Sequence, residues 1–454
     1  MGSLTIPEAQ RKFFLEGRTR DIRYRREALA RLGNTLRGSE NTVREALHTD
    51  LGKPAFESWG SEIGPAIREI SLARRKLAEW AKPRRVSTPL LMFPGTSHIR
   101  PEPYGVALLL APWNYPVHLS LIPLASAIAA GNCAVLKPSE FAPASARVLA
   151  SLIGQAFDPG HATVVEGDAE AASALLRDKW DYILFSGSTA VGHLVMNAAA
   201  KNLTPLTLEL GGKCPAIVEA DADIAVAARR IAWGKFYNAG QTCVAPDYAM
   251  VAAEIMGPFV AALRKSAAEF FGPDASASPD YARIVNERHF ARLTGLLAGG
   301  RILFGGGTKA EARYIEPTAL GDVPPNGALM NEEIFGPLLP VFSYSGLDEA
   351  IARANSRPSP LTLYFFSTDK MKAEKVIREV RSGGAVINDV ITHLANPALP
   401  FGGIGASGFG RYHGRHGFDT FSQLRGILQR PFHPDFSFRY PPYRLPLNWL
   451  KKLF

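Results

Sequence analysis

Short apolar runs alternate with helical stretches over most of the chain, and this alternation constrains the fold more than any other feature. In the first half the runs are VALLLAP, CAVLKPS, TVVEGD, DYILFSGS and LTLELGG, with helical sequence such as SARVLASLIGQAF between them. Strands that alternate with helices predict a parallel sheet covered by helices on both faces. We therefore predict an α/β fold.

A second alternating set begins after Gly212 and predicts a second sheet. It contains AIVEA, MVAAE, RILFGG, LLPVFSY, LTLYFFS and AVIND and ends near residue 410. The sequence thus predicts two doubly wound parallel-sheet domains, covering residues 1–210 and 211–410, with an arm or tail at 411–454. The first hundred residues are helical and charged, with Leu29, Leu32 and Leu36 at helical spacing.

The tail after Phe421 has a different pattern. Phe436, Phe438 and Tyr440 alternate with polar residues, which predicts a strand that pairs with an edge of another subunit. The final LNWLKKLF is apolar and basic. It has two interpretations, packing against the protein or contact with a membrane surface.

Composition limits the function classes. The formal charge of +9 permits anionic partners, but the basic residues are dispersed and accompany no nucleic-acid motif, so we expect no nucleic-acid partner. Three cysteines without a CxxC argue against a disulfide framework and a zinc site, so no metal is expected. A reducing, cytoplasmic compartment fits this usage, and no apolar signal-peptide core precedes residue 20.

Cys243 is the candidate nucleophile. It lies in NAGQTCVAP among small and polar residues, whereas Cys133 lies in an apolar run and Cys214, in GGKCPAIV, is interpreted as structural. Asn114, in APWNYP, follows the carboxyl end of a strand, where an amide can stabilise an oxyanion. Glu209 ends an apolar strand, and desolvation there favours a general base. Alone, each residue also fits a structural role.

Other segments point to a nucleotide. FSGSTAVG, residues 185–192, follows a strand and opens a helix whose N–H groups can hold a pyrophosphate, although its spacing is not GxGxxG. Lys137 and Glu140, in LKPSE, follow the neighbouring strand and can contact ribose hydroxyls or phosphate. Considered singly, each of these two residues is better explained as a surface charge.

Taken together, these segments resemble the aldehyde dehydrogenase family. The matching stretches are APWNYP, LKPSE, FSGSTAVG, LELGGK, NAGQTC, NEEIFGP and LPFGGIGASGFGRYHG, which occur in the family's order from about Gly105 to Phe421. The FGRYHGRHGFDTFS ending is similar to the class-three branch, which includes fatty and aromatic aldehyde dehydrogenases. The resemblance implies a dinucleotide-binding domain within 1–210, with a β oligomerisation arm segment near 83–104, and a catalytic domain at 211–410.

The resemblance also implies roles for individual residues. Cys243 matches the nucleophile that forms a thioester, Asn114 the oxyanion contact and Glu209 the base that activates water. Cofactor contacts are implied for Lys137, Glu140, Gly187, Ser188, Gly192, Glu333 and Phe335. An aldehyde tunnel is implied near Tyr115, Trp233, Ile391, Phe401 and His413, although plain core packing explains these five residues nearly as well.

These roles imply NAD(P)-dependent oxidation of a medium- or long-chain aliphatic or aromatic aldehyde. Glu140 disfavours a 2′-phosphate by repulsion, so NAD is expected, with NADP also accepted in class three. A homodimer is expected for this branch. Three alternatives remain: a coenzyme-A-acylating enzyme, against which Glu209 argues, a reductive enzyme, and a non-catalytic protein on the same fold.

Overall fold

The computed structural model describes residues 5–451 and confirms the predicted α/β class. The chain begins with a helical layer in which Leu29, Leu32 and Leu36 are fully buried, as their spacing predicts. Asp21 starts the second helix by accepting the N–H of Arg23. The helices of this layer are α1 (Ile6–Leu15), α2 (Ile22–Gly38), α3 (Glu40–Leu51), α4 (Ala55–Ser58) and α5 (Gly64–Trp80).

Two strands, β1 (Arg84–Val86) and β2 (Thr96–Pro103), leave this layer before the first parallel sheet begins. That sheet and its helices comprise β3 (Val106–Leu110), α6 (His118–Ala130), β4 (Cys133–Lys137), α7 (Pro143–Ala156), β5 (Ala162–Val164), α8 (Ala169–Leu175), β6 (Tyr182–Gly187), α9 (Thr189–Ala200) and β7 (Leu206–Leu210). The order β7-β6-β3-β4-β5 is parallel throughout. The chain reverses its winding direction between β3 and β6, which opens a crevice at the carboxyl ends of these strands.

A second sheet follows with the order β10-β13-β14-β9-β8-β15-β16. Its elements are β8 (Pro215–Val218), α10 (Ile224–Phe236), β9 (Tyr248–Ala252), α11 (Met256–Phe271), α12 (Glu287–Leu296), β10 (Arg301–Phe304), β11 (Thr308–Lys309), β12 (Tyr314–Ile315), β13 (Thr318–Gly321), α13 (Ala328–Asn331), β14 (Leu338–Tyr344), α14 (Leu347–Asn355), β15 (Thr362–Phe366), α15 (Lys370–Glu379) and β16 (Gly384–Ile387). β10 is antiparallel to β13, and the remaining neighbours are parallel.

The chain then returns to the first sheet. β17 (Gly408–Phe409) pairs antiparallel with β7 and sets Gly408 opposite Glu209. After α16 (Gly414–Thr420), β18 (Ser422–Gln429) pairs antiparallel with β2, which also pairs with β1. These three strands form a separate antiparallel sheet, which we call the arm. The last described helix is α17 (Leu447–Leu450).

The predicted strand at residues 436–440 is wrong. Ser437–Arg439 forms a 3₁₀ turn, in which the Tyr440 N–H donates to the Ser437 carbonyl and the Tyr440 hydroxyl donates to Asp435. Prolines at 434, 441 and 442 cannot donate to a strand ladder, so the aromatic alternation cannot extend into a sheet. The strand of the tail lies earlier, at β18.

The structure does not support the interpretation that the final segment packs against the protein. Leu447 and Trp449 are 63% and 66% exposed, so they do not pack into this chain. The residues after Lys451 lie outside the described part. Within residues 5–451, no helix combines the length and apolar character needed to cross a bilayer.

Candidate active site

Cys243 lies in a tight loop between α10 and β9. The loop turns through Asn238 and Ala239 with φ values of 52° and 51°, then through Gly240 at 75°. A Cβ on Gly240 would meet the Gly336 carbonyl at 2.3 Å, so only glycine fits there. Gln241 fixes the turn, because its amide donates to the Arg283 carbonyl and its side-chain oxygen accepts the Val285 N–H.

Two cavities meet at the Cys243 side chain. One has a volume of about 550 Å³ and is largely apolar, and the other has a volume of about 720 Å³. Cys243 lines both, together with Leu119, Phe401 and Tyr412. A group in either cavity can therefore approach the same sulfur atom.

Asn114 is held beside the cysteine loop. Its side-chain Nδ2 donates to the Gln241 backbone carbonyl at 3.0 Å. The backbone carbonyl of Asn114 accepts from Lys53 Nζ and Asn238 Nδ2, each at 3.0 Å. Lys53 is itself fixed by a fully buried ion pair with Glu62 at 2.5 Å. The second N–H of the Asn114 amide remains available, and Asn114 lines the larger cavity with Cys243.

Glu209 projects from β7 into the larger cavity as a desolvated carboxyl group. It is 6% exposed, and neither carboxylate oxygen has a hydrogen-bond partner among the described residues. The alternative that it merely bonds nearby backbone is therefore wrong. Burial raises the pKa of Glu209 well above its ordinary value, and the opposing charge of Arg411 only partly offsets this. Such a carboxylate is a stronger base than an exposed one.

The larger cavity contains part of the predicted nucleotide contacts. Gly187 and Ser188 line it at the start of α9, where Ser188 caps the helix by accepting the Val191 N–H. Gly192 lies outside the lining, at the contact of α9 with β7, where a Cβ would meet Leu210 at 2.7 Å. The start of α9 thus offers N–H groups to an anion, and Gly192 lets the helix pack closely on the sheet.

Lys137 and Glu140 also lie outside the cavity lining, as an ion pair of 3.0 Å at the end of β4. The segment that contains them is connected to the cavity lining through the aromatic contacts of Phe141. Phe141, next to Glu140, has its ring 6.2 Å from that of His289, which in turn lies 5.2 Å from Trp113. The segment that carries the pair is thus joined to the aromatic part of the cavity lining.

Glu333 and Phe335 also line the larger cavity. Phe335 adopts φ 51° and lies edge-on to Trp113 at 5.3 Å. Burial, reinforced by the nearby charge of Asp247, raises the pKa of Glu333 to about 8. Lys213 ties this loop to β9, because it pairs with Asp247 and donates to the Leu329 and Glu332 carbonyls.

The lining of the larger cavity fits a dinucleotide. Lys213, Arg292 and Arg357 line the larger cavity, as do Glu209, Glu332 and Glu333, and the basic groups and the start of α9 offer N–H donors to phosphate groups. Glu333 offers a carboxylate for ribose hydroxyls, and Phe335 with Trp113 offers flat apolar surfaces. The residues present therefore fit the cofactor that the sequence predicts.

The apolar cavity brings together the predicted tunnel residues, which all line it: Tyr115, Trp233, Ile391, Phe401 and His413. Sequence reasoning missed the contribution of the N-terminal layer, which adds Trp59 and Glu69, and of α6, which adds His118. These residues carry no local motif, and they reach the cavity only because the N-terminal helices pack against α6. No sequence signal identified them.

Gly211→Ala should displace Glu333 while sparing the fold. A Cβ at position 211 would lie 1.7 Å from Glu333 Oε2, at the movable end of a side chain. If Glu333 contacts the predicted nucleotide, kcat/KM for that nucleotide should fall by about tenfold or more, since loss of one hydrogen bond to such a group costs about 1.5 kcal/mol. Steady-state kinetics would measure the change. Gly154→Ala, in α7 with open space around the new Cβ, is the matched control, and an unchanged Gly211→Ala enzyme would contradict the assignment.

The pH dependence of Cys243 alkylation should depend on the carboxyl groups of Glu333 and Glu209. Burial raises the pKa of the Cys243 thiol, and the charges of Glu333 and Glu209 raise it further. Glu333→Gln removes one negative charge, so the pH midpoint of inactivation by iodoacetamide should move to lower pH. A midpoint that stays in place or moves upward would show that Glu333 does not act on the thiol.

Comparison with known proteins identifies the family of this chain. The sequence profile described as aldehyde dehydrogenase family matches residues 4–427. The 4,4'-diaponeurosporen-aldehyde dehydrogenase of Staphylococcus aureus (strain NCTC 8325 / PS 47) is 47% identical over 444 residues, which is 97% of each chain. Aldehyde dehydrogenase family 3 member B1 of Mus musculus is 46% identical over 435 residues, covering 95% of this chain and 93% of that protein.

Solved structures extend the comparison. The substrate-bound state of Staphylococcus aureus AldH superimposes with a TM-score of 0.96 at 47% identity and covers 98% of both chains. An indole-3-acetaldehyde dehydrogenase in complex with NAD⁺ gives a TM-score of 0.86 at 28% identity over 94% of this chain and 88% of its own. The chain belongs to the aldehyde dehydrogenase family and is an oxidoreductase that acts on aldehydes.

Proposed function

We propose that this protein oxidises an apolar aldehyde to its carboxylate with NAD, through a thioester on Cys243 that Glu209-activated water hydrolyses. One observation carries the proposal: Cys243 lies where a largely apolar cavity meets a larger, more polar one that also contains Asn114, Glu209 and Glu333. An aldehyde and a dinucleotide can thus reach the sulfur from opposite sides.

The protein groups act in sequence on the aldehyde carbon. The Cys243 thiolate adds to the carbonyl, and the resulting oxyanion is stabilised by the Asn114 amide and the Cys243 backbone N–H. When bound, the oxidised nicotinamide supplies the acceptor for the hydride that the adduct loses. The remaining thioester is attacked by water, whose proton passes to Glu209, and the carboxylate leaves as the Cys243 thiolate is regenerated.

Glu209 distinguishes this route from transfer to coenzyme A. Its carboxylate is desolvated and has no hydrogen-bond partner within residues 5–451, as a base for a small nucleophile such as water requires. A non-catalytic role would leave such an unpaired buried carboxyl without compensation, because an unsatisfied buried polar group costs about 1–3 kcal/mol. A catalytic role in hydrolysis explains why this site contains an unpaired buried carboxyl group.

NAD is the proposed cofactor, with NADP as a second acceptable one. The carboxylate of Glu140 repels a 2′-phosphate, although Lys137 at 3.0 Å partly compensates its charge. The apolar, aromatic wall of the smaller cavity favours medium- or long-chain aliphatic and aromatic aldehydes. All three cysteines are free thiols, which fits the reducing, cytoplasmic location that we propose.

Absorbance at 340 nm tests the reaction class. The full-length protein would be mixed with NAD or NADP and with aldehydes of increasing chain length or with an aromatic ring, in the absence of coenzyme A. We expect reduction with NAD that improves with apolar chain length. Reduction that appears only after coenzyme A is added would instead support the acylating alternative.

We also propose that the arm forms a homodimer. β18 is an outer strand of the arm in the described part of the chain, and its Leu424 and Leu428 are 55% and 48% exposed. Leu424→Glu combined with Leu428→Glu should convert a dimer to a monomer in sedimentation velocity experiments. Gln423→Glu, on the same strand, is the matched control for added charge, and a double variant that remains dimeric would exclude this surface.

Membrane contact by the final segment stays a prediction. Exposed Leu447 and Trp449 precede basic Lys451. Cosedimentation with anionic liposomes at low salt tests it, and a full-length protein that ignores them would exclude it.

A further inference from the structure

A fully buried ion pair is bonded to the loop that carries Asn114. The ammonium group of Lys53, which follows α3, lies 2.5 Å from a carboxylate oxygen of Glu62, and neither side chain is exposed. Both residues belong to the N-terminal helical layer, and neither lines either of the two cavities. The chemistry proposed above does not use this pair.

Burial makes this pair a poor source of stability. Each ion loses its hydration on folding, and uncharged side chains of similar volume in place of a buried ion pair often leave a protein equally stable or more stable. The contacts that the pair makes with the loops around Cys243 give it a second role.

Lys53 holds the peptide group that joins residues 114 and 115. Its Nζ donates to the Asn114 backbone carbonyl at 3.0 Å and lies 4.1 Å from the centroid of the Tyr115 ring. The Tyr115 hydroxyl is in turn hydrogen-bonded to that of Thr242, next to Cys243, at 2.6 Å. One buried cation thus contacts both residues that flank this peptide bond.

Glu62 fixes the other end of the same loop. Its Oε2 accepts the backbone N–H of Val117 at 2.8 Å and that of His118 at 3.2 Å, at the start of α6. A negative charge at this end of the helix is also favoured by the helix dipole. The loop between β3 and α6 is therefore held at two points by one ion pair.

The cysteine loop is attached to the same N-terminal segment. Glu57 accepts the backbone N–H of Asn238 at 3.0 Å, and Asn238 Nδ2 donates to the Asn114 carbonyl at 3.0 Å. The Asn114 carbonyl thus receives two donors, one from each side of the site. Residues 53–62 are in contact with both loops that meet at the sulfur atom.

We propose that Lys53 is a positioning residue that sets where the Asn114 amide lies relative to Cys243, and that Glu62 holds the Lys53 ammonium group in place. This inference rests on the proposed function and deepens it, because the amide can stabilise an oxyanion only from the correct position. Lys53 lies outside both cavities, so its effect passes through the Asn114 peptide. A displacement of about 1 Å in a reacting site can cost about 10²-fold in rate.

Lys53→Met combined with Glu62→Gln tests the inference without leaving a buried charge unpaired. Glutamine keeps an oxygen that can accept the N–H groups at the start of α6, and the Asn114 carbonyl keeps its donor from Asn238. We expect the rate constant for acylation of Cys243 to fall by about tenfold or more. The Kd for NAD and the thermal unfolding midpoint should change little.

Rapid mixing with p-nitrophenyl acetate measures acylation through the release of p-nitrophenolate. This ester forms an oxyanion on the same sulfur adduct but needs neither a nicotinamide nor hydride transfer. If the double variant does not fold, Glu62→Gln alone serves for the same measurement, since it removes the charge that holds Lys53 and keeps the shape of the side chain.

A double-mutant cycle with Asn114→Ala separates positioning from a general structural role. If Lys53 acts through Asn114, the pair substitution should slow acylation about tenfold in the wild type and hardly at all in Asn114→Ala, where the amide to be positioned is gone. The same loss in both backgrounds would overturn the inference, because a general loosening of the fold acts in both. An unchanged rate in the wild-type background would also overturn it.

The exposed pair of Lys76 and Glu79 in α5 provides the control. Lys76→Met with Glu79→Gln makes the same chemical changes at the surface and should leave acylation unchanged in both backgrounds.

The ester also separates this inference from the proposed function. Coupling between the buried pair and Asn114 in an enzyme that oxidises no aldehyde would support positioning while the proposed oxidation fails. Acylation of Asn114→Ala at the wild-type rate would overturn both the positioning role of Lys53 and the proposed oxyanion contact.

Discussion

Cys243→Ala should lower aldehyde oxidation by about four orders of magnitude or more, because covalent catalysis has no substitute nucleophile in this site. Cys133 lies in the core of β4, and Cys214 is fully buried with its thiol bonded to the Thr362 N–H. Neither lines either cavity. The substitution removes one small side chain at the junction of two cavities, so the fold and the binding of NAD should remain.

Absorbance at 340 nm would measure the loss of aldehyde oxidation, and circular dichroism would measure whether the fold is retained. Cys133→Ala is the matched control, since it removes the same atom from the core and should retain activity. Residual activity of Cys243→Ala within tenfold of the wild type would refute the covalent route.

Glu209→Gln should separate the two halves of the reaction. Acylation of Cys243 does not need this base, so a burst of reduced nicotinamide close to one equivalent per active site should survive. Hydrolysis of the thioester should become rate-limiting, and the steady-state rate should fall by about 10²–10⁴-fold. Rapid-mixing absorbance at 340 nm resolves both phases.

The pH dependence of turnover provides a second test of the role of Glu209. Because burial raises the pKa of Glu209 well above its ordinary value, the base loses its proton at a higher pH than an exposed carboxyl group does, and turnover should rise as the pH increases. Glu209→Gln should lose this rising limb. Glu219→Gln is a matched control, since Glu219 is also a buried carboxylate but is bonded to Tyr344 and Lys372.

Loss of the burst together with the steady-state rate would place Glu209 in acylation instead. In that case its desolvated carboxyl would act on the thiol rather than on water.

The alternation of strands and helices could be predicted from sequence because it is local. VALLLAP and LTLELGG become β3 and β7, and the motifs that follow such strands meet at one edge of the sheet. Parallel strands force this meeting, so Asn114, Ser188 and Glu209 could be placed together without coordinates. The motif order supplied their proposed roles.

The features that were not predicted from the sequence depend on contacts between residues that are far apart in the chain. β17 has two residues, too few for a periodic pattern, and pairs with a strand two hundred residues earlier. Residues 436–440 alternate like a strand but are bounded by prolines, and local turn bonds outcompete sheet pairing. His118 and Glu69 reach the apolar cavity only through packing of the helical layer, which no local motif encodes.

Mass spectrometry of trapped Glu209→Gln tests the central claim most directly. The variant would be mixed with NAD and an aldehyde, quenched in acid and digested, and the peptide containing Cys243 would be compared with controls lacking either reactant. The account predicts an acyl group on Cys243 that appears only when both are present and that hydroxylamine removes. Burst formation of reduced nicotinamide with an unmodified Cys243, or with the acyl group on another residue, would contradict it.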